Sequence, residues 1–117
     1  MSILVTGGVG FIGQTLCRSL LSAGNNVICV DDFSTGFTKT ALEIEREYPE
    51  QFMFFEENVE SDDFISLLDD PVFSNVTQIY HLACPASPPH YQKDPVRTMM
   101  TNVLGTKNVL DFAKKKK

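Results

Sequence analysis

The stretch Ile3-Leu4-Val5-Thr6-Gly7-Gly8-Val9-Gly10-Phe11-Ile12-Gly13 decides the fold of this chain. A short apolar strand runs into glycines spaced G-x-x-G-x-x-G, and a helical pattern opens directly behind them. That spacing is a variant of the dinucleotide fingerprint. Gly7 allows the tight strand-to-helix turn, Gly10 lets the backbone approach a pyrophosphate, and Gly13 lets the helix pack close. The first N–H groups of such a helix have no intrahelical acceptors, so they and the helix dipole favour an anion. A glycine triplet alone also fits an ordinary Gly-rich turn. The strand before it and the helix after it carry the cofactor reading.

Outward from this turn the chain alternates strand and helix. The first strand covers residues 2–6 and its helix about 11–23, with Ile12, Leu16, Leu20 and Ala23 at helical spacing before Gly24. Strands follow at 26–31, 52–56 and 76–83, separated by helices at roughly 38–48 and 61–69. In the second helix Ala41, Ile44 and Tyr48 share a face. A Pro-rich loop over 84–95 leads to a final helix carrying Val96, Met99, Met100, Val103 and Leu104 on one face. Regular alternation predicts a parallel sheet with right-handed crossovers. The expected fold is α/β, a Rossmann-type doubly wound sheet that is incomplete, with strands in the order 3-2-1-4. The expected domain is 1–117, the N-terminal part of a dinucleotide-binding Rossmann domain.

At 117 residues, with 43% hydrophobic and 21% charged residues, the chain has ordinary globular composition and fits one domain at most. A net charge of -5 argues against nonspecific nucleic-acid binding, which needs a Lys and Arg surplus. The terminal Lys114–Lys117 run reads as a solvated helix end near the negative pole of the dipole. Cys17, Cys29 and Cys84 show no metal spacing, so no metal is expected. Their odd number without a signal peptide, together with the lack of a membrane-length apolar run, predicts a soluble, cytoplasmic protein.

Individual residues sharpen the cofactor. Asp31 ends the second strand eighteen positions after Gly13, where a carboxylate accepts from ribose hydroxyls and repels a 2′-phosphate. NAD is therefore expected over NADP. Asp32, Phe33, Ser34, Thr35 and Gly36 form the following loop and could wall the adenosine side. Asn58-Val59, at the end of the third strand, sits where an adenine could lie, and an Asn offers both a donor and an acceptor. His81 reads as a packed, hydrogen-bonded strand residue and His90 as a loop residue. Cys84 has no evident activating base.

Residues Thr6–Gly13 resemble the opening of an extended short-chain dehydrogenase/reductase, as do Val30-Asp31-Asp32-Phe33 and Asn102-Val103-Leu104-Gly105-Thr106. Within that superfamily, His81-Leu82-Ala83-Cys84-Pro85-Ala86-Ser87-Pro88-Pro89-His90-Tyr91-Gln92 is similar to a loop of UDP-glucuronate decarboxylases, which make UDP-xylose. The resemblance implies a tightly held NAD that takes hydride from C4 of the uronic acid sugar. The 4-keto acid then loses carbon dioxide, and hydride returns. It further implies that Gly7, Gly10, Phe11 and Ile12 line the pyrophosphate and that Asp31 with its loop holds the adenosine ribose. Ala83 and Ala86 would flank the nicotinamide ribose, and Asn102 would help position the backbone there. Ser87 and Tyr91 would face a UDP-sugar substrate, Tyr91 toward the sugar carboxylate.

Two departures qualify this. The family's adenine position is usually Asp followed by Val or Ile, and here it is Asn58-Val59. The family's catalytic Tyr-x-x-x-Lys is also missing: Tyr91, Tyr80 and Tyr48 are followed four residues later by Pro95, Cys84 and Phe52. The resemblance also implies that 1–117 is the N-terminal part of an NAD-binding domain with the substrate domain absent; no catalytic residue is assigned, and the chain alone is expected to be inactive. Two alternatives stand beside the decarboxylase: a truncated, non-catalytic NAD-binding module, or a fragment of another sugar-nucleotide dehydratase or epimerase. Without a strand beside the fourth, the chain is expected to be marginally stable or to self-associate, as a homodimer for instance, through the 96–112 helix.

Overall fold

The computed structural model describes residues 2–8, 11–32, 38–82, 96, 99 and 101–115. Four parallel strands, β1 (Ser2–Thr6), β2 (Asn26–Asp31), β3 (Phe52–Glu56) and β4 (Val76–His81), form one sheet in the order β3-β2-β1-β4. The expected order is the observed one. Connecting them are α1 (Phe11–Ser22), α2 (Thr38–Glu47) and α3 (Asp62–Leu67), with a 3₁₀ turn at Pro71–Phe73 before β4. A π turn at Thr101–Gly105 runs into the last helix, α4 (Thr106–Lys115).

The central strands are buried on both sides, which is why Leu4, Val5, Val27, Ile28, Cys29 and Val30 form nearly unbroken apolar runs. Alternate side chains feed two separate cores. Ile3, Val5, Val27 and Cys29 pack with Cys17 and Leu21 of α1, and with Ala41 and Ile44 of α2. Leu4, Ile28 and Val30 pack on the other side with Phe64, Phe73, Val109 and Phe112. Phe73 stacks obliquely against Phe55 at 5.8 Å between ring centres and meets Phe112 edge-on at 6.3 Å.

Local chemistry sets the ends. Gly24 takes φ +92, the left-handed conformation that stops α1 as its position predicts. Ser61 caps α3 by accepting from the Phe64 N–H, and Asp70 caps the 3₁₀ turn by accepting from the Val72 N–H.

Three expectations are corrected in detail. The buried face of α1 is Gly13, Cys17 and Leu21, not the Ile12, Leu16, Leu20 and Ala23 series: Ile12 is 71% exposed, and Leu16 and Leu20 are half-buried. The close seat of Gly13 turns the helix by about one residue. β4 ends at His81 rather than residue 83, and at the edge of the described sheet it leaves Thr77, Gln78 and Tyr80 exposed. The last helical segment is broken by the π turn, and its buried face is Gly105, Asn108, Val109 and Phe112. Val96, Met99, Val103 and Leu104 are exposed on this chain.

Because Phe73 is fully buried between two aromatic rings, Phe73→Ala should lower stability by about 3–5 kcal/mol. The urea midpoint should fall with little change in slope; a midpoint near wild type would show that this cluster does not hold the second core.

Candidate functional site

Register places the carboxyl ends of all four strands level. Thr6 pairs with Val30 and His81, and Asp31 pairs with Glu56. The next residues along each strand therefore meet along one edge. The Gly7 N–H donates to the Val30 carbonyl at 2.8 Å, the Glu57 N–H to the Asp31 carbonyl at 3.0 Å, and the Leu82 N–H to the Thr6 carbonyl at 2.9 Å. In an open parallel sheet, ligands bind outside this edge, at the point where the strand order reverses. Here that point lies between β1 and β4.

The glycine turn has the geometry its spacing predicts. Gly7 takes φ +74, in the left-handed region. A methyl group added at Gly13 would lie 2.1 Å from the Gly7 carbonyl oxygen and 2.8 Å from the Gly8 Cα. The close contact is thus with the backbone of the turn itself rather than with the sheet. Gly8, which sequence reasoning passed over, is constrained too, by side chains rather than backbone. A Cβ there would meet the Cys29 sulfur at 2.5 Å and the Cys17 sulfur at 3.0 Å. α1 opens at Phe11, directly behind the turn, with Ile12 exposed beside it.

On the neighbouring strands, Asp31 ends β2 with only 6% exposure, and Asp32 beside it is half-buried. Asn58 and Val59 follow β3, Asn58 half-buried and Val59 buried. The edge therefore brings together Gly7, Gly13, Asp31, Asp32, Asn58 and Val59. Asn102 stands apart, exposed within the π turn. Gly10, Phe33, Ser34, Thr35, Gly36, Ala83, Ala86, Ser87 and Tyr91 lie outside the described residues, as do Cys84 and His90.

Thr6, Thr106 and Asn108, which sequence reasoning missed, support this edge, and His81 is the hydrogen-bonded strand residue it was expected to be. The hydroxyl of Thr6 lies 2.7 Å from His81 Nδ1, and that of Thr106 lies 3.3 Å from Nε2. One imidazole thus ties β1 and β4 to the first turn of α4. The Leu82 N–H also reaches the Thr6 hydroxyl oxygen at 3.0 Å. Asn108, buried in α4, donates its amide N–H to the Val59 carbonyl at 2.7 Å. The signal for Asn108 was present: it is a polar residue inside the apolar stripe 105, 109, 112.

The electrostatics are quiet. Hydrogen bonding to Cys17, then burial, pushes the Cys29 thiol well above its usual range, so Cys29 is not nucleophilic at neutral pH. Among the described residues no group of His, Cys, Asp and Glu could hold a metal ion, and no helix is long and apolar enough to cross a membrane. A groove of about 450 Å³ lies between α3 and α4, lined by Ile65, Leu68, Lys107 and Phe112 among others. It runs along α4 from Lys107 to Lys115 and contains none of the expected site residues, although Asn108, which bonds Val59, also lines it.

With this geometry in place, comparison with known proteins is direct. Residues 3–117 match the NAD dependent epimerase/dehydratase family. The chain belongs to that family. It is 43% identical over 115 residues to UDP-glucuronic acid decarboxylase 4 of Arabidopsis thaliana, covering 98% of this chain and 24% of that protein. It is 40% identical over 115 residues to UDP-glucuronic acid decarboxylase 1 of Danio rerio, covering 97% of this chain and 24% of the relative. The chain thus spans about a quarter of the length of these relatives. Among solved structures, UDP-glucose 4-epimerase of Thermotoga maritima with UDP-glucose superposes with a TM-score of 0.80 at 31% identity, over 99% of this chain and 35% of that one. The Thermus thermophilus UDP-glucose 4-epimerase complex with NAD gives 0.77 at 29% identity, over 99% and 34%. The Rossmann-type reading and the family resemblance are therefore both established.

Burial holds the His81 pKa below its usual 6.5. The folded state then binds fewer protons than the unfolded chain, so this contribution is present above pH 6.5 and is lost as pH falls toward the lower folded value. Urea midpoints should drop as pH falls below about 6.5, and His81→Gln should flatten that drop. An identical pH profile in the variant would remove His81 as its cause.

Proposed function

We propose that this chain is the NAD-binding portion of a UDP-glucuronate decarboxylase. The observation that carries the proposal is 40–44% identity to such decarboxylases across nearly the whole chain, joined to a strand edge shaped for a dinucleotide. The residues present fit NAD. Gly7 and Gly13 bring α1 against the turn with no room for a side chain at Gly13, and the N-terminus of that helix would face the pyrophosphate. Asp31, with Asp32 beside it, would hold the adenosine ribose, and Asn58-Val59 would face the adenine. Gly10, Phe11, Ile12, the loop Phe33–Gly36, Ala83, Ala86 and Asn102 complete the proposed cofactor set. Ser87 and Tyr91 would meet the UDP-sugar.

When bound, NAD supplies a hydride acceptor that also returns the hydride to a sugar carbon. This chain's own part is to orient the dinucleotide and, through Asp31, to disfavour a 2′-phosphate. Residues 1–117 contain no Tyr-x-x-x-Lys, so the groups that would move the proton are not assigned among them. A second reading is a non-catalytic NAD-binding module, which shares the same proposed cofactor site. A third reading, a fragment of another sugar-nucleotide epimerase, is supported by the 4-epimerase structures, but their 29–31% identity is lower than that of the decarboxylases. Self-association through the 96–112 helix belongs to the same proposal, supported by exposed Val96, Met99, Val103 and Leu104.

Calorimetry of the chain is expected to show NAD binding, with Asp31→Ala weakening NAD far more than NADP. Incubation with NAD and UDP-glucuronate should give no UDP-xylose by mass spectrometry. Product from this chain alone would overturn its inactivity, and no binding at millimolar NAD would overturn the cofactor reading. A monomeric, monodisperse sample in sedimentation would remove the self-association.

A further inference from the structure

We propose that Asn108 is a positioning residue for adenine recognition: its buried amide fixes the Val59 peptide, and so the Asn58-Val59 segment that would read the base. The inference rests on the NAD reading above and extends it to a residue of another helix. The segment leaves β3 with the Glu57 N–H on the Asp31 carbonyl, and the Ser61 hydroxyl turns it into α3 by donating to the Asn58 carbonyl at 2.7 Å. Between these local bonds, the Val59 carbonyl is held from 49 residues away. A carbonyl oxygen can only accept, so the facing atom of Asn108 is its amide nitrogen.

Two further observations make this a built contact. Asn108 is 8% exposed, so its bond to Val59 is shielded from competing water. Gly105, one turn earlier on the same face, approaches so closely that a Cβ there would lie 2.5 Å from the Val59 Cγ2. Bond and approach converge on one residue. A tether to a carbonyl constrains that peptide plane and hence the direction of its neighbours, without touching the ligand. Asn108 therefore acts through Val59 and is not itself a ligand contact.

The test compares NAD with an analogue carrying cytosine in place of adenine, on wild type, Asn108→Ala and the near-isosteric Asn108→Asp, which loses the donor when ionised. Loss of one buried hydrogen bond should weaken NAD by about tenfold while leaving the analogue nearly unchanged, so the preference for adenine collapses. Amide exchange at 58–60 should quicken in both variants while α2 stays protected. Equal weakening of both ligands, or unchanged exchange at 58–60, would assign Asn108 a merely structural role and overturn the proposal. If neither variant folds, Gly105→Ala, which displaces Val59 while keeping the amide, must erode the same preference; retention there also overturns it. A wild-type chain that binds neither ligand defeats the NAD reading itself, and this inference with it. Binding with an unaltered preference defeats the inference alone.

Discussion

The rest of the structure depends on the absence of a side chain at Gly13. Its Cα lies so close to the Gly7 carbonyl and the Gly8 backbone that even a methyl group would overlap backbone atoms, which cannot swing aside. This contact fixes the distance and rotation of α1. Once it is fixed, Cys17 and Leu21 fall onto Val5, Val27 and Cys29, and Ile12 is turned outward. Gly8 repeats the constraint one layer down, lying over the two sulfurs. A helix held this close to the turn presents its N-terminus at the strand edge, where unpaired N–H groups and the dipole favour an anion.

The sheet then aligns what the helix has positioned. Parallel pairing in register sets Thr6 beside Val30 and His81, and Asp31 beside Glu56. One residue further, Gly7, Glu57 and Leu82 each donate a backbone N–H to the neighbouring strand. The ladder continues past the strands into the loops, which is why the edge residues inherit the order of the core. His81 extends this logic sideways, engaging threonines of β1 and α4 through its two ring nitrogens.

How much of this was legible follows from which signals are local. Strand positions, their order and the glycine turn were readable because apolar runs, Gly24 and the triplet each carry their own conformational demand. The α1 face was misjudged by one residue, because Ile12 and Leu16 are apolar but Gly13 decides the rotation through a backbone contact that hydrophobicity does not report. The last helix misled for the opposite reason. Val96 to Leu104 form the more apolar face, yet the buried face is carried by Gly105, Asn108, Val109 and Phe112, beyond a π turn with no plain sequence signature. For the site, Gly7, Asp31 and Asn58 could be placed because strand ends are local features. The Asn108–Val59 bond joins residues 49 apart, and only the packed α4 brings them together.

The two ends of the proposed dinucleotide site therefore rest on different foundations. Gly8 lies over Cys17 and Cys29, which belong to the core shared with α1 and α2. Val59 belongs to the opposite core, with Phe64, Phe73, Val109 and Phe112. The sheet lies between these cores, and the described coupling across the edge is the main-chain ladder through Val30, Asp31 and Glu57. Along the described edge, strain in one core reaches the other by shifting that ladder, which is stiff because both central strands are buried on both faces. A substitution behind the glycine turn should thus alter the anion end while leaving the base end nearly in place, and a substitution behind Val59 should do the reverse. Such independence lets one sheet edge hold an elongated ligand at two points whose chemistries, anion and planar base, ask different things of the protein.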